Sequence, residues 1–363
     1  MQRLSRRDFL RLMGGGALAI ITGCTARPQP SPTSRKPDPT PTPEPTALPP
    51  EKLAIRPAPD IPPPPMKFTS LDEFYIQSYG GTPRVDPAQW RLRVDGLVEQ
   101  PLTLTLDEVR ALPSREFVWT LECISNPPGG NLIGNQVWRG TPLVPLLEKA
   151  GIRPEATRVL WHAADGYTTS LPLERVLHPD AMLVYEMGGQ PLPREHGFPL
   201  RVFIPGHYGQ KMPKWLERIE LVDRAVLGYW ERRGWDDMAI IKPNSRIDMP
   251  RTGVEMKVGE VLDIEGVAMA DEHGVAQVAV GIEDPNGQMI WVDTVRTYGD
   301  NPYTWVVWRT QWTPERPGRY QVFARAWDKD GRTQRRGRGG LLAGTFPSGS
   351  DYMHAIVVRV SEA

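Results

Sequence analysis

The chain has 363 residues, 40% of them hydrophobic and 24% charged, with 43 Lys+Arg against 43 Asp+Glu and a formal net charge of zero. That balance argues against the basic surface of a nucleic-acid binder and against a polybasic membrane patch. The 2 cysteines, Cys24 and Cys123, lie far apart, so no disulfide framework is expected to hold the body together.

Taken in chain order, the first element is a leader. Ser5-Arg6-Arg7-Asp8-Phe9-Leu10 precedes an uncharged stretch, Leu12 to Gly23, that is too short and too glycine-rich to span a bilayer. The paired arginines resemble the twin-arginine (Tat) export signal, an address for proteins that cross the membrane already folded. Ile21-Thr22-Gly23-Cys24 resembles a lipoprotein lipobox, which would make Cys24 the acylated N-terminus and membrane anchor. The resemblance implies a signal peptide over residues 1–23 and a mature protein at the extracytoplasmic face of a bacterial membrane. Residues 24–66 are rich in Pro, Thr and Ser, as in "PDPTPTPEPTALPP", and are expected to form a disordered, semi-rigid tether.

The remaining 300 or so residues predict two domains. Residues 67–223 mix the two periodicities. "WRLRVDGLV" alternates like a strand, "TLDEVRAL" starts at Thr105 as an N-cap, and "LVPLLEKAG" ends in the glycine expected just past a helix. "TRVLWHAADGYTTSLPL" and "PLRVFIP" read as strands broken by turns. This region is predicted to be α+β. Residues 224–363 carry regular strands, among them "VLDIEGVAMA", "VAQVAVGIE" and "GRYQVFARAWD", separated by turns such as Asp284-Pro285-Asn286-Gly287. That spacing predicts an all-β sandwich of immunoglobulin type.

Cys123 lies in "WTLECISNPPGG". No resolving cysteine lies near it, which weighs against a disulfide exchanger. A nucleophile assisted by one of the six histidines and a buried structural thiol both stay open.

The surrounding motifs narrow the choice. Cys123-x-x-Asn126, the later "VWRGTPLVPLL", "ADGYTTSLPL" and "HGFPLRVFIPGHYGQKMPKWLERIEL" resemble, in order, the blocks of the sulfite oxidase family of molybdopterin-dependent oxidoreductases. The resemblance runs from Phe68 to the end and implies a molybdopterin-binding domain followed by an immunoglobulin-like dimerisation domain, hence a possible homodimer. It implies that Cys123 is a thiolate ligand of molybdenum, a soft donor for a metal otherwise bound by the dithiolene of one molybdopterin. It places the pterin against the Phe74, Tyr75, Ile76, Gln77, Ser78 and Tyr79 segment, Asn126, Asp165, His196, Arg201, Met212, Pro213 and Lys214. An arginine fork and a lysine suit a phosphate-bearing group.

The chain departs from the family at two places. Pro127 and Pro128 stand where relatives carry arginines after the Cys-x-x-Asn unit, and Gln77, Ser78 and Tyr79 replace an Arg-Asn-His run. A pocket short of cations argues against sulfite as the substrate. Arg139 and Arg246 are the candidates to compensate, and Tyr167 is a candidate proton donor; His162 and His207 stay ambiguous. The expected activity is two-electron oxygen-atom transfer on a small oxyanion or S- or N-oxide. No Cys-x-x-Cys-His haem signature is present, so a separate carrier, a cytochrome or quinone system, is expected to exchange the electrons. The alternative is a lipid-anchored binding or adhesion protein with an immunoglobulin-like module and no metal.

Overall fold

A computed structural model describes residues 53–337 and 341–363. The leader and Cys24 lie outside the described residues. No described helix is long and apolar enough to cross a membrane.

The first region is built on two sheets. One orders Arg201–Phe203, Met182–Met187, Ile133–Pro142 and Arg115–Glu122, all antiparallel. The other orders Leu102–Leu104, Leu92–Gly96, Leu216–Val222, Arg158–Ala163 and Thr168–Pro172; within it only Leu216–Val222 and Leu92–Gly96 run parallel. Helices are few and short. Leu106–Arg110 starts at Thr105, whose hydroxyl accepts from Glu108 N while the Glu108 carboxylate accepts from Thr105 N, a capping box. Val144–Ala150 stops at Gly151, whose φ of 69° no β-carbon favours. These helices bury Val109, Leu146 and Leu147 against Leu92, Val94, Val159, Trp161 and Ile219 in a continuous apolar core.

The second region is a two-sheet sandwich. A six-stranded sheet runs Ile55–Arg56, Met289–Asp293, Val275–Glu283, Gly318–Asp328, His354–Ser361, Val254–Lys257. A four-stranded sheet runs Asn244–Met249, Leu262–Met269, Val306–Trp312, Val295–Thr297. Ile264, Val278, Val280, Trp308, Val322 and Val358 fill the space between, following the alternation visible in the sequence.

One strand of that sandwich was not expected. The tether predicted to run to residue 66 has its last part in the fold: Ile55 and Arg56 pair in parallel with Trp291 and Val292. Leu53 and Ile55 pack near Trp291 and Phe323, and Pro64 is buried, its carbonyl accepting from Thr297 Oγ1. The apolar residues interspersed among the prolines find a sheet edge to cover, and the two paired residues, Ile55 and Arg56, are not prolines and keep their N–H groups.

The two regions share a core. Ile124, Ile133 and Tyr208 from the first meet Val267, Met269, Trp305 and Val307 from the second. Thr120 N donates to Tyr303 O at 2.9 Å, and Trp305 N donates back to Thr120 Oγ1 at 2.9 Å. The end of the Arg115–Glu122 strand, one residue before the thiol, is therefore held from the sandwich side.

Candidate cofactor site

Cys123 follows the buried end of Arg115–Glu122, where the sheet gives way to a tight loop. Its N–H donates to Leu132 O at 2.9 Å, and Asn126 N donates back to Cys123 O at 2.9 Å. The Asn126 amide completes the loop: Nδ2 donates to Glu122 Oε1 at 2.9 Å and Oδ1 accepts from Leu132 N at 3.0 Å. Asn126 is thus spent on shaping the loop. The half-buried thiol contacts Ser125 Oγ at 3.2 Å. Burial pushes the thiol pKa up despite the Ser125 hydrogen bonds, so the group rests as a thiol until something cationic claims it.

A second group of residues gathers around Arg201. Arg201, at the start of Arg201–Phe203, is 5% exposed. Its Nη1 donates to His196 O at 3.0 Å and Nη2 to Met212 O at 3.4 Å, while Nε has no partner. The guanidinium lies 5.0 Å from the Phe203 ring centroid and 5.6 Å from that of Trp138. No described carboxylate pairs with it, and burial lowers its pKa to about 10. Lys214 donates to Glu195 O at 2.7 Å and lies 4.3 Å from the Trp215 ring. Burial and the Arg201 charge bring its pKa down to about 7. Burial, Arg201 and Lys214 together hold His196 neutral, its pKa near 4. Trp215, a non-glycine residue at φ 53°, turns the chain directly after Lys214.

Tyr75 connects the two halves. Burial lifts its pKa well above the ordinary tyrosine value, the Cys123 thiol adds to that rise and Arg201 opposes it. The phenol therefore lies within electrostatic reach of both. Phe74 stacks on it at 5.6 Å and meets the His196 ring edge-on at 5.5 Å. Ile76, Gln77, Ser78 and Tyr79 are exposed as the chain leaves the site. Gly80 lies against the Asp165 carbonyl so closely that a β-carbon there would sit 2.8 Å from it. Asp165 caps its own turn, accepting from Tyr167 N at 3.0 Å. Tyr167 is buried, and its hydroxyl donates to Gln210 O at 2.8 Å. Met212 and Pro213 are buried beneath Arg201, Met212 through its carbonyl.

Two candidate cations part company. Arg246 reaches the thiol's loop from the sandwich, donating from Nη1 to Gly130 O at 2.8 Å and from Nε to Asp248 Oδ1 at 2.6 Å. It borders a small cavity of about 20 Å³ with Glu122, Asn126 and Pro127, enough for about one water. Arg139 does not come to the site. It is exposed on the strand Ile133–Pro142, 3.2 Å from Glu186 and 3.5 Å from Glu116. Trp138 next to it points inward at 1% exposure, so strand alternation sends Arg139 outward. His162 is a surface group 2.8 Å from Glu220. His207 is buried and neutral, its pKa lowered to about 3 by burial.

Three participants were not read from the sequence. Glu122 is buried beside Cys123, accepts from Asn126 and from Asn244 Nδ2 at 2.9 Å, and burial raises its pKa to about 7. Lys211 and Glu231 form a buried ion pair behind Tyr167.

Among the described residues no group of three or more His, Cys, Asp or Glu side chains could hold a metal ion. The groups present fit another kind of occupant. A thiol, a buried guanidinium with an idle Nε and no carboxylate partner, and a lysine of depressed pKa match a metal that brings its own sulfur ligands on an anionic, phosphate-bearing carrier.

The comparisons agree with that donor set. The model of the oxidoreductase molybdopterin binding domain matches residues 79–230. The uncharacterized oxidoreductase YuiH of Bacillus subtilis is 39% identical over 150 residues, which cover 41% of this chain and 74% of that one. The chain belongs to the sulfite oxidase family of molybdopterin-dependent oxidoreductases. It is an oxidoreductase, which sets aside the metal-free adhesion alternative. The mitochondrial sulfite oxidase of Rattus norvegicus is 29% identical over 282 residues, 65% of this chain and 51% of that protein. That of Drosophila melanogaster is 30% identical over 233 residues, 53% and 40%. The chain thus spans about half the length of these sulfite oxidases or less. The sulfane dehydrogenase SoxCD of Paracoccus pantotrophus superposes with a TM-score of 0.66 at 22% identity, over 79% of this chain and 82% of that one. That likeness establishes the sulfite-oxidase-type fold, mostly sheet with few helices.

Proposed function

We propose that this family member holds molybdenum-molybdopterin with Cys123 as the protein's thiolate ligand, and acts on a small sulfur or nitrogen oxyanion or oxide. The observation that carries this reading is the buried Arg201 guanidinium, without a carboxylate and with Nε unpaired, in a chain whose thiol lies at the other end of the Tyr75 side chain's electrostatic reach. When bound, the group supplies two-electron oxygen-atom transfer. Cys123 releases its proton to bind the metal, as a thiol must. Arg201 and Lys214 hold the anionic pterin, His196 stays neutral between them, and Phe74 and Tyr75 wall off water. Pro127 and Pro128 leave the loop without side-chain charge, and Arg246 is partly neutralised by Asp248; both support a substrate less dependent on cations than sulfite.

The rest of the reading rests on sequence. The twin-arginine and lipobox resemblances support export and anchoring through Cys24, outside the described residues, at an extracytoplasmic membrane face. The two-sheet sandwich supports an immunoglobulin-like second domain, and the resemblance of that region to a dimerisation module supports a homodimer. Electrons pass to or from a separate cytochrome or quinone system.

The test is metal and pterin analysis of protein made in cells that synthesise molybdopterin, with X-ray absorption at the molybdenum edge. Wild type is expected to carry about one molybdenum with a thiolate sulfur beyond the dithiolene pair, and Cys123→Ser to lose that sulfur. Molybdenum-free wild type, or an unchanged sulfur count in the variant, sinks the assignment. A dye-coupled screen over sulfite, sulfoxides and N-oxides then sets substrate and direction.

A further inference from the structure

Joined to Tyr167 through Gln210 lies a fully buried ion pair. Lys211 and Glu231 have side chains 0% and 1% exposed. Lys211 Nζ donates to Glu231 Oε1, to Thr169 Oγ1 at 3.1 Å and to Ser170 O at 3.2 Å. The same Glu231 oxygen accepts from Thr169 Oγ1 at 2.7 Å and from Gln210 Nε2 at 3.1 Å. Lys211 and Gln210 belong to the turn Gly209–Lys211 that leads into Met212-Pro213-Lys214. Glu231 comes from the connector, one residue past the matched domain.

Stability does not explain this arrangement. Burying both ions costs several kcal/mol each, and apolar pairs of similar volume commonly serve as well. Two buried acceptors, Glu231 Oε2 and Gln210 Oε1, have no partner at all. What the network does provide is a fixed turn. The backbone carbonyl of that turn, Gln210 O, takes the Tyr167 hydroxyl at 2.8 Å. A carbonyl can only accept, so the phenol proton must lie on that bond. The Tyr167 oxygen then has lone pairs and no proton left for any other partner, opposite to the proton-donor role its sequence position suggested.

We propose that Lys211 and Glu231 are positioning residues that lock Tyr167 as a hydrogen-bond acceptor toward the cofactor pocket, with Thr169 as the hydroxyl that ties the pair together. The catalytic consequence rests on the function proposed above; the locking itself does not.

The test separates the two. In cofactor-free full-length protein labelled with 3-fluorotyrosine, the ¹⁹F resonance lost in Tyr167→Phe identifies Tyr167. Lys211→Met/Glu231→Leu, chosen because it leaves no lone buried charge, is expected to stay folded and to shift and broaden that resonance. Thr169→Val should shift it in the same direction by less, and covers the case in which the double variant fails to fold. An unmoved Tyr167 resonance in whichever folded variant is obtained overturns the proposal, whatever the cofactor analysis gives. In loaded enzyme, removing the pair is expected to lower kcat roughly five- to tenfold, about the worth of one oriented hydrogen bond. In a Tyr167→Phe background the same change should cost little more. Fully additive losses would mean a merely structural pair and would overturn the positioning role.

Discussion

Arg246, on the first strand of the four-stranded sheet, donates to the backbone carbonyl of Gly130, on the loop that follows the thiol, at 2.8 Å. A charged side chain from one region thus fixes the loop geometry of the other. Arg246→Met removes this bond and frees Asp248, and it is expected to lower activity about tenfold or more through loss of a charge-assisted contact. Cofactor content should remain near wild type. Steady-state kinetics with metal analysis on the same samples checks both halves.

The neighbouring glycine is a second point of control. Gly129 has φ 74°, and an added β-carbon would run into the imidazole of His354. Gly129→Ala therefore meets backbone strain and a side-chain clash together, and should destabilise by about 1–3 kcal/mol. A thermal midpoint unchanged from wild type would show that the loop can withdraw from the sandwich without cost.

The strand Ile55–Arg56 makes a prediction about truncation. A chain beginning at residue 53 should keep the wild-type Tm. One beginning at residue 67 loses the parallel pairing to Trp291 and Val292 and the cover over the apolar cluster beneath. Its Tm should fall by about 2–4 °C for each kcal/mol lost, several degrees in all. Calorimetry on the two truncations decides.

Acid stability follows from His207. Burial is the main cause that holds its pKa near 3, well under the ordinary 6.5, with Nδ1 donating to Met238 O at 2.6 Å and Nε2 accepting from Arg175 at 3.3 Å. A group whose pKa is depressed by folding contributes stability that is complete above its unfolded value and is lost as pH falls toward the folded one. His196, near 4, acts in the same sense. Glu122 acts oppositely: raised to about 7, it takes stability away as pH climbs from about 4.5 to 7. Urea midpoints should therefore fall between pH 6.5 and 4. His207→Gln, which can keep both hydrogen bonds, should flatten that fall; an identical slope would clear His207 of the effect.

Much of the site could be read in the sequence because its residues travel in short, ordered motifs. Cys123 with Asn126, Asp165 with Tyr167, and Met212 to Lys214 lie on loops whose turns are dictated locally, by proline, glycine and an aspartate that caps its own backbone, and Arg201 stands at the start of a short strand beside them. Thr105 and Gly151 marked their helix ends for the same reason. What sequence concealed was burial of charge. Lys211, Glu231 and Glu122 look like solvent-facing residues in one dimension, and partners 20 and 122 positions away, for Lys211–Glu231 and Glu122–Asn244, are what the linear pattern hides. Arg139 is the converse case: its neighbour Trp138 is so apolar that the two-residue period of a strand pointed Arg139 away from the pocket. The strand at Ile55 was hidden by the prolines around it.

On the function proposed above, the unpaired Nε of Arg201 couples filling to folding. Burial and the Arg201 charge, which reaches Lys214, together disfavour the charge on that lysine. On that same function, a phosphate-bearing group held by both would relieve the repulsion and, by binding the native state alone, would add its occupancy directly to stability. Filled and vacant molecules then differ in how often they open, and a protease that samples open forms can cull the vacant ones without ever inspecting the metal.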